Sequence, residues 1–402
     1  MVSETVEAEG HLIDSGNFQS ILTTIVEHGS EYEILRFDIG RTNAQGSHLT
    51  LKVTAATDDR LQNLLSRLSV FGCFVKGTPT ALIRAADMDG AAPDDFYSTT
   101  NHRTSVFMNG TWVAADNQRM DAALVVTGGT VACKKLRDIR KGDQIVCGMQ
   151  GIRVSPDVQQ RDKPSFGFMS NEVSSERRVE TAVAKVAELM RRVQKDGGKI
   201  AFVAGPVVVH TGGTEYFCQL IANGYVDVLL SGNALAVHDI EVAMSGTSLG
   251  IDLHSGQPVE HGHRNHMRAI NAIRRAGSIG RAVEAGVLTT GIMHACHTNG
   301  VHYILAGSIR DDGPLPETMM NLVEAQDAYS RALAGVDVVV MLSSMLHSIG
   351  VGNMLPSSVK VICVDINPAV VTKLSDRGST QTIGIVTDVG LFLHQLAEQL
   401  KD

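Results

Sequence analysis

Residues 199–240 read KIAFVAGPVVVHTGGTEYFCQLIANGYVDVLLSGNALAVHDI, and this stretch decides the fold. Ile200 to Val209 is an apolar, β-branched run of strand length, interrupted by Gly205-Pro206 and ending in His210-Thr211-Gly212-Gly213. Glu215 to Asn223 reads as a helix closed by Asn223-Gly224, and Val226 to Leu230 is a second apolar strand ending in Ser231-Gly232-Asn233. Strand, small-residue turn, helix and strand make one βαβ unit. In open parallel sheets, ligands sit at the carboxyl ends of the strands, and both turns, 211–213 and 231–233, fall at that edge. Glycines there let the backbone approach a phosphate, and a helix N-terminus supplies N–H groups and a partial positive charge. HTGGTE is not G-x-G-x-x-G, so by itself the turn suits a tight connection in an α/β core equally well.

Downstream, the same grammar repeats. Tyr303–Leu305, Val336–Met341, Val359–Val364 and Gln381–Val386 read as strands. The first three end in AGSIRDDGPLPE (306–317), Leu342-Ser343-Ser344 and Asp365-Ile366-Asn367-Pro368. Several polar strand ends converging on one sheet edge point to a nucleotide far more specifically than any one of them. Asp365 is placed to accept hydrogen bonds from ribose hydroxyls, and with no basic residue beside it NAD is expected over NADP. It also suits the N-cap of a helix opening at Pro368. Upstream, Val179, Val183, Val186, Met190 and Val193 recur at helical spacing within an amphipathic helix over 174–196, whose charged residues form a solvated face.

The N-terminal part has a different pattern. A strand over 8–15, a helix over 17–28, strands Glu31–Ile39 and Ser47–Ala55, a helix Asp58–Leu68 and short strands Cys73–Val75 and Ala81–Ala85 follow one another. The order β-α-β-β-α-β resembles a ferredoxin-like α+β domain. Beyond it, Asn109-Gly110 between the alternating runs Thr104–Met108 and Thr111–Ala114 is a strong hairpin signal. Met120–Val126, Thr130–Lys134 and Gln144–Val146 add strands to a small β-barrel or β-rich module, and polar residues 155–175 read as a linker. The expected domains are thus 1–90 (ferredoxin-like), 91–155 (β-rich) and 156–402 (parallel-sheet, Rossmann-like, with a leading helix).

Composition bounds the rest. The 402 residues are 44% hydrophobic but 4% aromatic, with 39 Gly and 15 Met, which suits a parallel sheet packed with Val, Ile, Leu, Ala and Met. A formal charge of −8 and the lack of a basic run argue against nucleic acid. No apolar segment is long enough to span a membrane, and the N-terminus lacks signal-peptide character. Six scattered cysteines without C-x-x-C spacing suit free thiols in a reducing cytoplasm.

The segments EGHLIDSG, ILRFDIG, PDDFYSTTNH, KGDQIVCGMQGIRV, FMSNEVSSE, GPVVVHTGG, LLSGNALAVHDIE, GTSLGIDL, RNHMRAINAIRRAGSI and AGSIRDDGPLPE together resemble one family. It is the archaeal-type ornithine cyclodeaminase family, also described as the lysine-oxoglutarate reductase/saccharopine dehydrogenase bifunctional-region family. The match covers nearly all of 8–400. The same module is known behind an arginine dihydrolase domain in cyanobacterial proteins; that domain is not expected here, because the chain begins at the shared module. The resemblance implies a C-terminal NAD-binding domain similar to deoxyhypusine synthase. Its cofactor loops would be Gly205, Pro206, His210, Thr211, Gly212 and Gly213, then Gly232, Asn233 and Ala234, then Gly307 and Ser308, then Ser343 and Ser344, and finally Asp365, Asn367 and Pro368. It also implies conversion of L-ornithine to L-proline and ammonia with NAD recycled. A related amino-acid dehydrogenase or saccharopine-type enzyme, or a non-catalytic NAD-binding regulatory module, would share the same loops. A homodimer or homotetramer is expected.

Such a reaction needs a cation for the α-carboxylate, a carboxylate facing the amines and a group titrating near neutrality. Arg310, Arg264 and Arg103 are candidates for the first, Asp311, Asp312 and Asp239 for the second, His238 and His294 for the third. Each has a plain alternative: Arg310 pairing with its neighbouring aspartates in a turn, His238 capping a helix. Cys296, between His294 and His297, is a conceivable nucleophile, although cyclodeamination requires none. His254, His261, His263 and His266 lack a zincin spacing, NAD chemistry needs no metal, and none is expected. Asn101-His102-Arg103 is a further candidate to reach the substrate.

Overall fold

The structure, a computed structural model, describes residues 1–13, 16–40, 45–69, 71–77, 80–155, 176–248, 251–252, 263–311, 313–377 and 382–401; at 176–178, 251–252, 263–264 and 375–377 it describes the backbone only. The chain divides into two units, Met1–Phe168 with Leu355–Ser358, and Met169–Met354 with Val359–Asp402.

The first unit opens with β1 (Val2–Gly10), α1 (Asn17–Glu27), β2 (Glu31–Asp38), β3 (Ser47–Ala55), α2 (Asp58–Ser69) and β4 (Cys73–Val75). Their sheet has the order β2-β3-β1-β4 with every pairing antiparallel, the ferredoxin-like arrangement. β1 pairs with β3 from Val2↔Ala55 to Gly10↔Ser47; of the strand expected over 8–15 only residues 8–10 belong to it, residues 11–13 form a turn and 14–15 lie outside the described residues. Val6 and Ala8 alternate inward and meet Leu49, Leu51 and Val53 of β3. Ile21 and Ile25 of α1 and Leu61, Leu64, Leu65 and Leu68 of α2 close this core. The α2 leucines follow i, i+3, i+4, i+7, and each buried one contributes about 2 kcal/mol. β2 is the outer edge, exposed almost throughout, with a bulge between Ile34 and Arg36.

A second sheet follows, built from β5 (Leu82–Ala85), β6 (Arg103–Met108), β7 (Thr111–Asp116), β8 (Ala123–Thr127), β9 (Thr130–Lys134), β10 (Gln144–Cys147) and β11 (Ile152–Ser155). Its order is β11-β6-β7-β9-β8-β10-β5. Asn109 and Gly110 both adopt positive φ, 51° and 80°, the backbone of a tight hairpin whose twist matches its strands. β5, expected from sequence to belong to the ferredoxin-like domain of residues 1–90, pairs with β10 of this second sheet.

The second unit begins with α3 (Glu176–Lys195) and continues through β12 (Ile200–Ala204), α4 (Val207–His210), α5 (Thr214–Ala222), β13 (Val228–Gly232) and α6 (Asn233–Ser245). β14 (Thr247–Ser248), β15 (Ile251–Asp252), α7 (His263–Ala276), α8 (Ile279–Glu284), α9 (Ile292–Thr298), β16 (His302–Ala306) and β17 (Thr318–Met319) come next. α10 (Leu322–Ala332), β18 (Val338–Leu342), α11 (Met345–Gly352), β19 (Lys360–Asp365), α12 (Pro368–Arg377), β20 (Thr382–Val386) and α13 (Val389–Gln399) complete it. The sheet order is β17-β16-β13-β12-β18-β19-β20, all parallel. From β12 the chain builds outward to one side, then returns across it to build the other, so the sheet's switch point lies between β12 and β18. Both strands are buried at every residue, as a sheet covered on two faces requires.

The strand expected over Ile200–Val209 ends at Ala204. Gly205-Pro206 breaks it, and Val207–His210 turn into a helix despite their β-branched side chains. The ladder with β18 stops at Ala204↔Leu342, so residues beyond it have no strand to pair with. Gln381, the expected start of the last strand, and the expected linker at 156–175 lie outside the described residues. Among the described residues no helix is long and apolar enough to cross a membrane, and all six cysteines are free thiols.

At the switch point the Gly205 N–H donates to the Leu342 carbonyl at 3.0 Å. A Cβ on Gly205 would lie 2.4 Å from the Ser343 carbonyl oxygen, a backbone atom that cannot swing aside. Gly205→Ala is therefore expected to cost about 3 kcal/mol or more, at the upper end for overpacking. Gly212→Ala, at φ +72° with nothing within 4 Å, costs about 1 kcal/mol of backbone strain alone. Urea unfolding of the two variants checks this; equal losses would refute the close approach.

Candidate active site

The carboxyl edge of the parallel sheet carries five segments: 205–213 after β12, 231–234 at β13/α6, 306–311 after β16, 343–348 after β18 and 365–368 after β19. The helices that start there fall into two groups. α10, α12 and α13, away from the switch point, receive side-chain caps: Asn321 accepts from Val323 and Glu324 N–H, Asn367 from Ala369 N–H at 3.0 Å, Asp388 from Leu391 N–H at 2.9 Å. α4, α6 and α11, which flank the switch point, have no side-chain cap. Uncapped N–H groups and the positive end of a helix dipole suit an anion.

Asp365 ends β19, half-buried. Its Oδ1 accepts the Asn367 N–H at 2.8 Å, a local turn that fixes the carboxylate. Among the described residues Oδ2 has no hydrogen-bond donor, so the two readings of Asp365, turn-former and ribose acceptor, are compatible. Asn233 is more committed. Its Oδ1 accepts from the Leu315 N–H at 3.0 Å and the Thr318 hydroxyl at 2.9 Å, tying the start of α6 to the loop after β16. Gly307 likewise serves packing, since a Cβ there would meet the Met320 sulfur. In the same loop Asp311 Oδ2 accepts the Ser308 N–H at 2.7 Å and the Ser308 hydroxyl accepts the Arg310 N–H at 3.1 Å. The Arg310 side chain is exposed, without an ion-pair partner among the described residues. Asp312 lies outside the described residues, as does the side chain of Arg264. Asn101 and His102, in the first unit, are buried.

Sequence reading missed His347. Its ring stands over the end of β13: a Cβ on Gly232 would lie 3.0 Å from His347 Nε2. Its Nδ1 is 3.1 Å from the Tyr329 hydroxyl, which donates to the Ser231 carbonyl, and the Ser231 hydroxyl donates to the Ala204 carbonyl at 2.6 Å. Burial lowers the His347 pKa, and Asp311 partly offsets it.

A second polar group gathers beside the β12 loop. His210 Nδ1 is 3.0 Å from the Ser248 hydroxyl. Its ring lies 4.9 Å from that of His238, which lies 5.3 Å from that of His266. Burial first, and then His238, hold the His210 imidazole below its ordinary pKa. His238 does not cap a helix; it sits inside α6, three residues before Glu241, and both are buried. Glu241 was not singled out from sequence, although the spacing His238-x-x-Glu241 places both side chains on one helical face. His266, grouped in sequence with His254, His261 and His263, joins Glu241 instead. His254 and His261 lie outside the described residues, as does the side chain of His263.

Two candidates prove structural in their surroundings. Asp239 is fully buried and accepts the Ile292 and Met293 N–H groups, each at 2.8 Å, capping α9. Burial pushes its carboxyl up to about 6, against the pull of those two bonds. Cys296 is fully buried on α9; burial first, then Asp239, push its thiol up. A thiolate nucleophile needs exposed, electropositive surroundings, and Cys296 has neither. No described contact joins His294, on the same helix, to the polar groups above.

A doubly wound parallel sheet whose uncapped helix ends meet at its switch point defines a Rossmann-like domain. Comparison with known proteins narrows this. Residues 3–102 match the LOR/SDH bifunctional enzyme conserved region, 103–183 the first C-terminal region of ArgZ-like arginine dihydrolases and 184–396 their C-terminal Rossmann fold, and the chain belongs to this family. An ornithine cyclodeaminase of Methanothermobacter thermautotrophicus is 47% identical over 100% of this chain and 98% of its own. The bifunctional arginine dihydrolase/ornithine cyclodeaminase AgrE of Nostoc is 48% identical over 99% of this chain. A structure of AgrE in ternary complex with ornithine and NAD+ aligns with TM-score 0.55 and 47% identity over 99% of this chain and 57% of that one. The apo structure of the cyanobacterial arginine dihydrolase ArgZ aligns with TM-score 0.87 and 44% identity over 99% of this chain and 58% of that one. The chain thus spans 58% of the length of the bifunctional relatives it matches.

Iodoacetamide applied to the native protein at pH 8 is expected to leave Cys296 unmodified in peptide maps, while the urea-unfolded protein reacts there. Labelling of Cys296 at similar rates in both states would show that its burial is misjudged.

Proposed function

We propose that the chain is an ornithine cyclodeaminase, converting L-ornithine to L-proline and ammonia with bound NAD that is recycled. One observation carries the reading: the switch point opens between uncapped helix ends and beside Asp365, in a module shared end to end with relatives that bear this activity. The residues fit NAD. The N-termini of α6 and α11 offer N–H groups to a pyrophosphate, and Asp365 Oδ2 offers an acceptor to ribose hydroxyls. When bound, NAD supplies the acceptor for a hydride from the substrate α-carbon and the donor that later reduces a cyclic imine.

The chain's own residues bind, orient and move protons. Arg310, without an ion-pair partner among the described residues, takes the α-carboxylate from the β16 edge. Asp311, its Oδ2 fixed by the Ser308 N–H, presents Oδ1 to an amine. Burial holds the His210 imidazole below its ordinary pKa, and with Ser248 on Nδ1 its other nitrogen takes a proton from the amine. A cytoplasmic site of action, in proline formation from ornithine, and a homodimer or homotetramer belong to the same proposal; the free thiols support the first.

Incubation with L-ornithine and catalytic NAD+ is expected to yield proline and ammonia in equal amounts, both in excess over NAD+. Accumulating NADH would overturn the recycling and make the protein a dehydrogenase. Asp365→Ala is expected to raise the KM for NAD+ roughly tenfold or more, the loss of hydrogen bonds to a charged acceptor. An unchanged KM would remove Asp365 from the site.

A further inference from the structure

His238, Glu241 and His266 meet where α7 packs against α6. His238 Nδ1 lies 3.8 Å and His266 Nδ1 3.5 Å from the same oxygen, Glu241 Oε2. The three donor atoms all lie within 4.8 Å of one another. These gaps are longer than hydrogen bonds. Both Nδ1 atoms are nonetheless buried and, among the described residues, without a hydrogen-bond partner, and the Glu241 side chain is 0% exposed. A buried carboxylate facing two unpartnered imidazole nitrogens is costly unless something stands between them.

From this geometry we infer a binding site for one divalent transition-metal ion, with His238 Nδ1, His266 Nδ1 and Glu241 Oε2 as ligands. An ion about 2.0–2.2 Å from each ligand in tetrahedral array sets ligand atoms about 3.4 Å apart. The gaps of 3.8 and 3.5 Å to Glu241 Oε2 need to close by only a few tenths of an ångström, and all three atoms already lie within 4.8 Å of one another. The carboxylate is already oriented: the Thr247 hydroxyl donates to Glu241 Oε1 at 2.9 Å, and the Asn265 amide donates to Thr247 at 3.0 Å. Such outer-shell bonds hold ligating carboxylates in place. The His266 side chain, 30% exposed, gives an ion a way in. Two imidazoles and one carboxylate without a thiolate favour zinc and its neighbours over calcium or magnesium. Three protein ligands leave one position open, the count of metal sites that bind a water or a substrate. The inference goes beyond the ornithine reaction and does not rest on it, since the ion is read directly.

The test uses the untagged full chain, stripped with chelator and titrated with zinc alone at pH 7.5, with bound metal counted by mass spectrometry. One zinc per chain is expected. Glu241→Gln and His266→Ala should each weaken binding by more than about a hundredfold, and Thr247→Val by roughly ten- to a hundredfold. His394→Ala, on α13, should change nothing. Failure of the wild-type chain to bind zinc saturably overturns the site. So does unaltered binding in Glu241→Gln and His266→Ala, which would put the ion elsewhere. Should Glu241→Gln misfold, His266→Ala decides alone, and folding of each variant is checked by circular dichroism. Zinc binding without proline formation would sink the reaction proposed above and leave the site standing.

Discussion

The second unit depends on two backbones that run side by side and then separate. β12 and β18 are paired to their last residues, Ala204 and Leu342, and there the chain goes opposite ways around the sheet. Gly205 can follow because it has no side chain to strike the Ser343 carbonyl. Ser343 itself takes φ +39°, a conformation unusual for a residue with a Cβ. From this parting follow the helices that start on either side without a side-chain cap. The ties beneath them, Ser231 to Ala204 and Asn233 to Leu315 and Thr318, keep the neighbouring loops from collapsing into the gap.

Much of the fold was legible in the sequence because its signals are local. Continuous apolar runs marked β12, β13, β18 and β19, and Asn109-Gly110 marked its hairpin to the residue. Where reading failed, a long-range contact decided. Val207–Val209 look like strand by side-chain shape, but no neighbouring strand extends past Leu342 to receive them. Leu82–Ala85 follow Cys73–Val75 closely in sequence yet pair with residues some sixty positions later. β1 began earlier than read because Val2–Thr5 carry one apolar residue among polar ones, and only the nine-residue ladder with β3 shows that they belong to it.

The candidate site was legible in outline and not in detail. Strand-end polarity located the edge, and Asp365 stands where an acidic strand end was expected. Asn233 and Gly307 stand at the strand ends where they were expected, and their contacts there hold loops together. His347 and Glu241 were missed because their partners arrive from other elements: Tyr329 from α10 in one case, His266 from α7 in the other. Only the i, i+3 spacing of His238 and Glu241 was visible along the chain. Cys296 misled because flanking histidines suggest a reactive thiol, whereas α9 turns it inward.

The outermost strands have a consequence for the protein's behaviour at high concentration. An open sheet offers unpaired N–H and C=O groups to any passing chain. β17 ends the parallel sheet with two residues, Thr318 and Met319, too short a template to recruit another strand. β2, the long exposed edge of the first sheet, is interrupted by its bulge and carries the paired charges of Arg36 and Asp38. These two borders are thereby guarded against edge-to-edge polymerisation, one by brevity and the other by irregularity.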